Sequence, residues 1–295
     1  SDFYLQHLDS AAFYKKKNIE KSLSFIEKAL KNKENKKRNS ATYKLLADVY
    51  LYWKQYDLAA YNYKLSHQIY KDQSTKIAAA KAQFLSNNYK DSEQTYQELL
   101  KEKLSTYESI EVFEGLADVF FRTKKMDASI ANYQKALQVA KENLVTPKIT
   151  DLNSKIANVF AAQGKTNKAE NLFKNSLNLA EKENPTRALE EEEKVANFYN
   201  KNNRFDEEIK LRKKSLIKAK KNEASKRKSI KEDSITSQKI NYKIGTAYIL
   251  KEDYKEAIPF LQKSIKDANK NEDIVVEKDA TRKLSESYAT IGDYD

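Results

Sequence analysis

One short pattern recurs along the chain. An aliphatic and a small residue are followed by an aromatic three positions on, a second aromatic six further, then a small residue, another aromatic, and a closing small or aliphatic residue. The clearest copy is Leu46, Ala47, Tyr50, Tyr56, Ala59, Tyr63 and Ser66. It returns as Leu116, Ala117, Phe120, Met126, Ser129, Tyr133 and Ala136, and again as Ile156, Ala157, Phe160, Ala169, Phe173 and Ser176. Later copies are Val195, Ala196, Tyr199, Phe205 and Ser215, then Ile244, Gly245, Tyr248, Tyr254, Ala257, Leu261 and Ser264. Weaker copies surround Ser10 and Ala80, and a half copy runs through Ser285 and Tyr288 to Tyr294. From one small residue to the next (Ser10, Ala47, Ala80, Ala117, Ala157, Ala196, Gly245, Ser285) the steps are 37, 33, 37, 40, 39, 49 and 40 residues. Two antiparallel helices cross closely only where small side chains let the backbones approach, with bulky rings filling the space around the crossing. A unit of this length cannot bury its apolar face alone and must stack on its neighbours.

The composition fits helices. Four Gly and three Pro in 295 residues are too few for a sheet protein with many hairpins. No Cys is present, which excludes disulfides and thiolate metal sites. No run approaches the roughly 18 to 20 apolar residues of a membrane span, and residues 1 to 20 lack the apolar core of a signal peptide. A hydrophobic content of 40% with a net charge of +12 belongs to a chain that folds. Polar connections are expected at 32–39, 101–106, 145–150 with Pro147, 183–186 with Pro185, and 269–273. Pro259 falls inside a helical stretch, where it is expected to produce a local kink.

These residues resemble the tetratricopeptide repeat, whose 34-residue frame places Leu at 7, Gly or Ala at 8, Tyr at 11, an aromatic at 17, Ala at 20, an aromatic at 24 and Ala at 27. The resemblance covers essentially the whole chain. It implies an all-α, right-handed α-solenoid of antiparallel helix pairs, about seven and a half repeats in a single array over 1–295. The expected repeats span roughly 3–31, 40–71, 73–103, 108–142, 149–183, 187–221 and 233–270, with a half repeat at 275–295. An extended basic connection is expected at 218–236.

The inventory of reactive groups points away from catalysis, cofactors and metals. His7 and His67 stand apart, with no second ligand at metal-binding spacing. Neither GxGxxG nor GxxxxGK occurs. Most of the 19 Tyr and 12 Phe fall on interhelix packing positions, so the repeat grid, rather than base stacking, accounts for them.

The resemblance also implies where a partner binds. In such arrays the first helix of each repeat lines a concave face, and positions 2, 5, 9 and 12 point into it. The residues expected there include Lys44, Asp48, Lys81, Glu114, Asp118, Asn158, Glu193, Asn197 and Asn200, with Ile77, Glu111, Asp151, Ser154 and Glu190 among their companions. The middle of this face is acidic. Asn158 and Asn197 share position 9 in consecutive repeats, and an Asn amide can both donate to and accept from an extended peptide; a solvated helix face is the plainer alternative. One chaperone-binding branch of the family holds a C-terminal carboxylate with Lys at 5 and Asn at 9. Lys44 fits that pattern, but Asp48 replaces the Asn and would repel a carboxylate.

The charge is concentrated. Between Lys210 and Lys231 eleven basic residues face one acid, Glu223, leaving only +2 for the rest of the chain. The same repeat departs from the family at Glu208 and Arg212, in place of the small residue at 20 and the aromatic at 24, which puts helix packing there in question. Two readings stand: a solvated outer helix whose charges pair locally, or a docking patch (Lys213, Lys214, Lys226, Arg227, Lys228) for an acidic partner or an anionic membrane surface.

The functional expectation is a protein- or peptide-binding array. Residues 187–199 (RALEEEEKVANFY) and 203–216 are similar, more loosely, to the sensory arrays of Bacteroidetes-type two-component histidine kinases. With a last repeat that stops before its second helix, this similarity implies the sensory or partner-binding region of a longer signalling protein, periplasmic and membrane-anchored as a whole. The alternatives are a stand-alone cytoplasmic scaffold or peptide-responsive regulator, and a nucleic-acid-binding array using residues 210–231.

Overall fold

The computed structural model describes residues 2–31, 35–225 and 234–292. Among these residues there are fifteen α-helices and no strand. They fall into two compact units, Ser1–Val145 and Thr146–Asp295. Unit 1 holds α1 (Phe3–Tyr14), α2 (Ile19–Leu30), α3 (Lys36–Tyr52), α4 (Tyr56–Ile69), α5 (Gln73–Leu85), α6 (Tyr89–Leu99), α7 (Thr106–Arg122) and α8 (Met126–Glu142). Unit 2 holds α9 (Thr146–Ala162), α10 (Thr166–Glu183), α11 (Pro185–Lys201), α12 (Phe205–Ser225), α13 (Ser237–Leu250), α14 (Tyr254–Lys270) and α15 (Ile274–Ile291). Within each unit every helix packs on the one before and the one after it, the pattern of an α-solenoid built from helix pairs.

The small residues do what their spacing implies. Ala47, Ala59, Ala80, Ala117, Ala157, Ala169 and Ala257 are all fully buried. Serine supports the same crossings, because a hydroxyl at position 20 can bond the backbone of the facing helix. Ser92 donates to the Ala80 carbonyl and Ser129 to that of Ala117, both at 2.8 Å. In the first pair the contact is made one residue later than the sequence suggested: Ala11, rather than Ser10, is fully buried, and Ser22 donates to its carbonyl at 2.8 Å. Gly115 also has a packing reason. A Cβ there would lie 2.2 Å from the Tyr96 ring, so this ring on α6 reaches the core only because α7 lacks a side chain at that point.

Helix ends explain how an array can be made with so little glycine. In six turns within pairs a single residue adopts left-handed backbone: Lys54, Asn87, Lys124, Gly164, Asn203 and Glu252. In each turn the next N–H bonds the carbonyl of the position-11 aromatic or its equivalent, as in Gln55 to Tyr50 (2.8 Å) and Lys125 to Phe120 (2.8 Å). Only one of the six uses glycine. The two prolines expected in connections instead sit in first helical turns, Pro147 in α9 and Pro185 in α11, where a missing N–H costs nothing. α14 runs unbroken through Pro259.

The connection expected at 218–236 is corrected in part: α12 continues to Ser225, so residues 218–225 are helical. Residues 226–233 lie outside the described residues. Glu223, near the end of α12, accepts from the Ser237 backbone N–H at 2.7 Å and its hydroxyl at 2.8 Å, which ties α12 to the start of α13.

Left-handed backbone strains any residue with a Cβ. Lys124→Gly and Glu252→Gly are each expected to raise unfolding stability by about 0.5–1 kcal/mol. A urea midpoint that stays put or falls in both variants would contradict this account of the turns.

Candidate functional site

Positions 9 and 24 of a repeat lie opposite one another across the helix pair, and the pairing of residue types there decides which groups remain open to a ligand. In unit 1, the Tyr63 hydroxyl on α4 donates to Asp48 on α3, and Tyr133 on α8 donates to Asp118 on α7. Burial and the facing carboxylate push both phenols well above their ordinary range, so they stay protonated and keep donating. Lys81, the position-9 residue between them, is drawn to Glu111 at 3.0 Å. Lys44 bridges to Asp72 at 3.3 Å and donates to Ser74 at 2.9 Å. Burial raises the Tyr96 phenol most, and Asp118, Glu111 and Glu114 of α7 raise it further. Ile77 is buried rather than open, because it packs in the core with Leu99 and Val112.

Unit 2 changes the chemistry at these positions. Asn158, on α9, faces position 24 occupied by Phe173, which has no polar atom to offer. Asn158 is exposed and makes no hydrogen bond among the described residues. Asn197, on α11, faces Arg212 instead, and its side-chain oxygen accepts from Arg212 Nη2 at 2.9 Å. The two asparagines therefore share a register but not a state: one is open, and the other holds a buried guanidinium. Asn200 donates to Glu208 at 2.7 Å. Ser154 is buried and donates to Glu191, so it too is withdrawn from any groove.

Arg212 is the centre of a buried ionic cluster that the sequence reading left in question. It is 2% exposed and bonds Glu208 (2.7 Å), Glu193 (2.7 Å) and Asn197. Glu208 and Arg212 are one helical turn apart, so the pair that replaces the usual small residue and aromatic satisfies itself while α12 packs normally on α11. Lys243, from α13, takes the other oxygen of Glu193. Burial alone would raise the Glu193 pKa, yet Arg212 and Lys243 hold it below the usual carboxylate range. The fully buried Glu192 accepts from Ser215 at 2.7 Å and from Lys218, and the fully buried Glu191 accepts from Ser154 and Lys194. The i, i+4 spacing of Glu208 and Arg212 was the one available signal.

Of the seven described basic residues of the 210–231 segment, Arg212, Lys213, Lys214 and Lys218 are engaged. Lys213 donates to the Tyr248 hydroxyl at 2.8 Å and lies over the rings of Tyr248 and Phe260. Lys214 pairs with Glu181 at 2.8 Å, and Lys218 with Glu181 and Glu192. Lys210, Lys220 and Lys221 are exposed without such partners among the described residues. Lys226, Arg227 and Lys228 lie outside the described residues.

Among the described residues no three His, Asp or Glu side chains converge as metal ligands, and no helix is long and apolar enough to cross a membrane. His67 Nδ1 accepts the Asp72 backbone N–H at 3.1 Å at the start of α5. Asp72 caps that helix; although partial burial pushes its pKa up, hydrogen bonds from Thr75 and Ser74 hold the carboxyl well below the usual range.

Fold and surface together describe a helical-repeat array. Residues 108–182 and 238–269 match the tetratricopeptide repeat family, and these segments touch both units. Tetratricopeptide repeats are protein-interaction scaffolds, so protein or peptide partners are the general expectation. No curated protein matches the chain in sequence. Among solved structures, it resembles a Signal Transduction ATPase with Numerous Domains protein with a tetratricopeptide repeat sensor from Pyrococcus horikoshii (TM-score 0.63, 15% identity), over 95% of this chain and 44% of that one. The apo form of RapI is similar over 99% of this chain and 87% of that one (TM-score 0.61, 14% identity). BtubC (BKLC) from P. vanneervenii is similar over 81% and 93% respectively (TM-score 0.56, 15% identity). At such identities these likenesses describe the fold.

Replacing Arg212 with Met leaves the buried Glu208 without a cation and Glu193 with Lys243 alone, and is expected to cost about 3–5 kcal/mol. The double variant Glu208→Ala with Arg212→Tyr, which restores ordinary repeat chemistry, is expected to lose clearly less than the single one; additive losses in urea unfolding would overturn this view of the cluster. A second expectation concerns acid. Ion pairs with Arg204 and Lys174 lower the Glu170 pKa to about 2. A depressed folded-state pKa gives stability that is complete above the unfolded value near 4.3 and lost as pH falls toward 2. Thermal unfolding between pH 7 and pH 2.5 is expected to show a smaller acid loss in Glu170→Gln than in the wild type.

Proposed function

We propose that the first-helix face of unit 2, carried by α9, α11 and α13, captures an extended peptide segment of a partner protein. The observation that carries this reading is the state of Asn158. Its counterparts Asp48, Lys81, Asp118 and Asn197 are each engaged within the chain, whereas Asn158 is exposed and faces a phenylalanine. Its amide can donate to a peptide carbonyl and accept from the following N–H. One repeat further on, Asn197 adds its NH2 group, because only its oxygen is taken by Arg212. Asn158 is thus a contact that can be removed without disturbing packing, and Asn197 is not.

We further read the array as the sensory or partner-binding region of a longer signalling protein. Two features support this: the likeness of residues 187–199 to sensory arrays of two-component kinases, and the fold shared with a signal-transduction ATPase whose tetratricopeptide repeats are its sensor. A transmembrane segment and kinase encoded downstream would fit this reading, while a stop codon directly after Asp295 would leave the stand-alone scaffold.

Peptides selected from a random displayed library against the intact chain provide the test of the face. Asn158→Ala is expected to weaken them about tenfold with an unchanged melting temperature, and Asn197→Ala to lower the melting temperature by unseating Arg212. Selected peptides that bind Asn158→Ala as well as the wild type would place the partner elsewhere.

A further inference from the structure

Two neighbouring turns of unit 1 carry a surface that the packing of the repeats does not require. The turn between α1 and α2 and the turn between α3 and α4 are joined by a hydrogen bond from the Trp53 indole N–H to the Lys15 carbonyl, at 2.8 Å. Around this bond Phe13 is 59% exposed, Tyr52 47% and Trp53 39%. The rings are held against one another: Phe13 meets Tyr14 edge-on at 5.1 Å, and Tyr52 meets Trp53 edge-on at 5.7 Å. Lysines cover them. The Lys17 ammonium lies 3.4 Å from the centre of the Phe13 ring, Lys16 5.7 Å from Tyr52, and Lys21 5.2 Å from Tyr14.

Several lysines elsewhere in the chain are held by carboxylates. Lys44, Lys76, Lys81, Lys125 and Lys214 all reach a carboxylate. Lys15, Lys16, Lys17, Lys21, Lys28 and Lys54 reach none among the described residues. Five of these, Lys28 apart, sit on the two turns or in the first turn of α2 beside three exposed aromatic rings, with Asp9, Glu20 and Asp57 as the flanking carboxylates on α1, α2 and α4.

We propose that this edge docks on an anionic phospholipid surface. Aromatic rings with one wet side settle at headgroup depth, and lysines on apolar stems reach the lipid phosphates from the same level. The other anionic partners fit less well. A single nucleic-acid strand stacks its bases on open ring faces, whereas Phe13, Tyr14 and Tyr52 each already have an ammonium over a face. An acidic peptide held in register needs free main-chain groups. Here the Asn18 N–H bonds the Tyr14 carbonyl, the Gln55 N–H bonds that of Tyr50, and the Lys15 carbonyl is taken by Trp53. The proposal concerns neither the face of α9, α11 and α13 nor residues 210–231, and it stands apart from the peptide-capture reading.

Trp53 is the sole tryptophan of the chain, so its fluorescence reports on this edge alone. Vesicles of phosphatidylcholine with about 30% phosphatidylglycerol are expected to shift its emission to shorter wavelength and to carry the intact chain into the pellet, an effect that weakens with salt. Brominated lipid is expected to quench it. Pure phosphatidylcholine should do neither, and Lys15→Glu, Lys16→Glu and Lys17→Glu together should lower the vesicle partition at least about tenfold with an unchanged circular dichroism spectrum. Absence of a shift with the anionic vesicles, a partition untouched by the triple reversal, or a response to oligothymidylate or polyglutamate in place of the vesicles would overturn the proposal.

Discussion

Everything in the two units rests on how closely paired helices cross. A crossing between fully buried alanines, or between an alanine and a serine that bonds its carbonyl, brings two backbones near enough for rings at positions 11 and 24 to seal the contact on both sides. Once that distance is set, the rest follows. Tyr96 needs the missing side chain of Gly115, and the turns must close within three residues, which forces one of them into left-handed backbone.

The same geometry governs which surface groups are free. Position 24 is a packing position, yet its terminal atom reaches position 9 across the pair. Tyr63 and Tyr133 there each engage an aspartate, Arg212 engages an asparagine, and Phe173 leaves its partner open. The core residue, chosen for packing, thus sets the hydrogen-bonding capacity of the exposed face.

The repeat grid, the helix pairing and most of the core were legible in the sequence because they depend on residue size at fixed spacing, which one chain displays many times over. Ser10 was misplaced by one residue because Ala11 beside it is equally small and lies eleven residues before its bonding serine, Ser22, where Ala80 and Ala117 lie twelve before theirs. Arg212 could not be recognised as buried from its identity, since an arginine is buried only when every donor finds an acceptor, and its acceptors Glu193, Asn197 and Glu208 lie on two helices. Local pairing and docking could not be told apart at Lys213 and Lys214 for the same reason: their partners Tyr248 and Glu181 are 35 and 33 residues away. The openness of Asn158 was hidden too, because it depends on what residue 173 lacks.

The buried ionic crossing has a consequence for how the chain finds its fold. Repeats built on one grid are nearly interchangeable, and a helix that docks on the wrong neighbour would meet small residues and rings in almost the right places. The α11–α12 crossing has no such substitute. Any other helix brought against Glu193 and Asn197 would leave a carboxylate stranded in the interior, and α12 docked elsewhere would bury Arg212 and Glu208 against alanines and aromatics. One pair in the array thus carries an address, and the helices before and after it are placed by counting from that point.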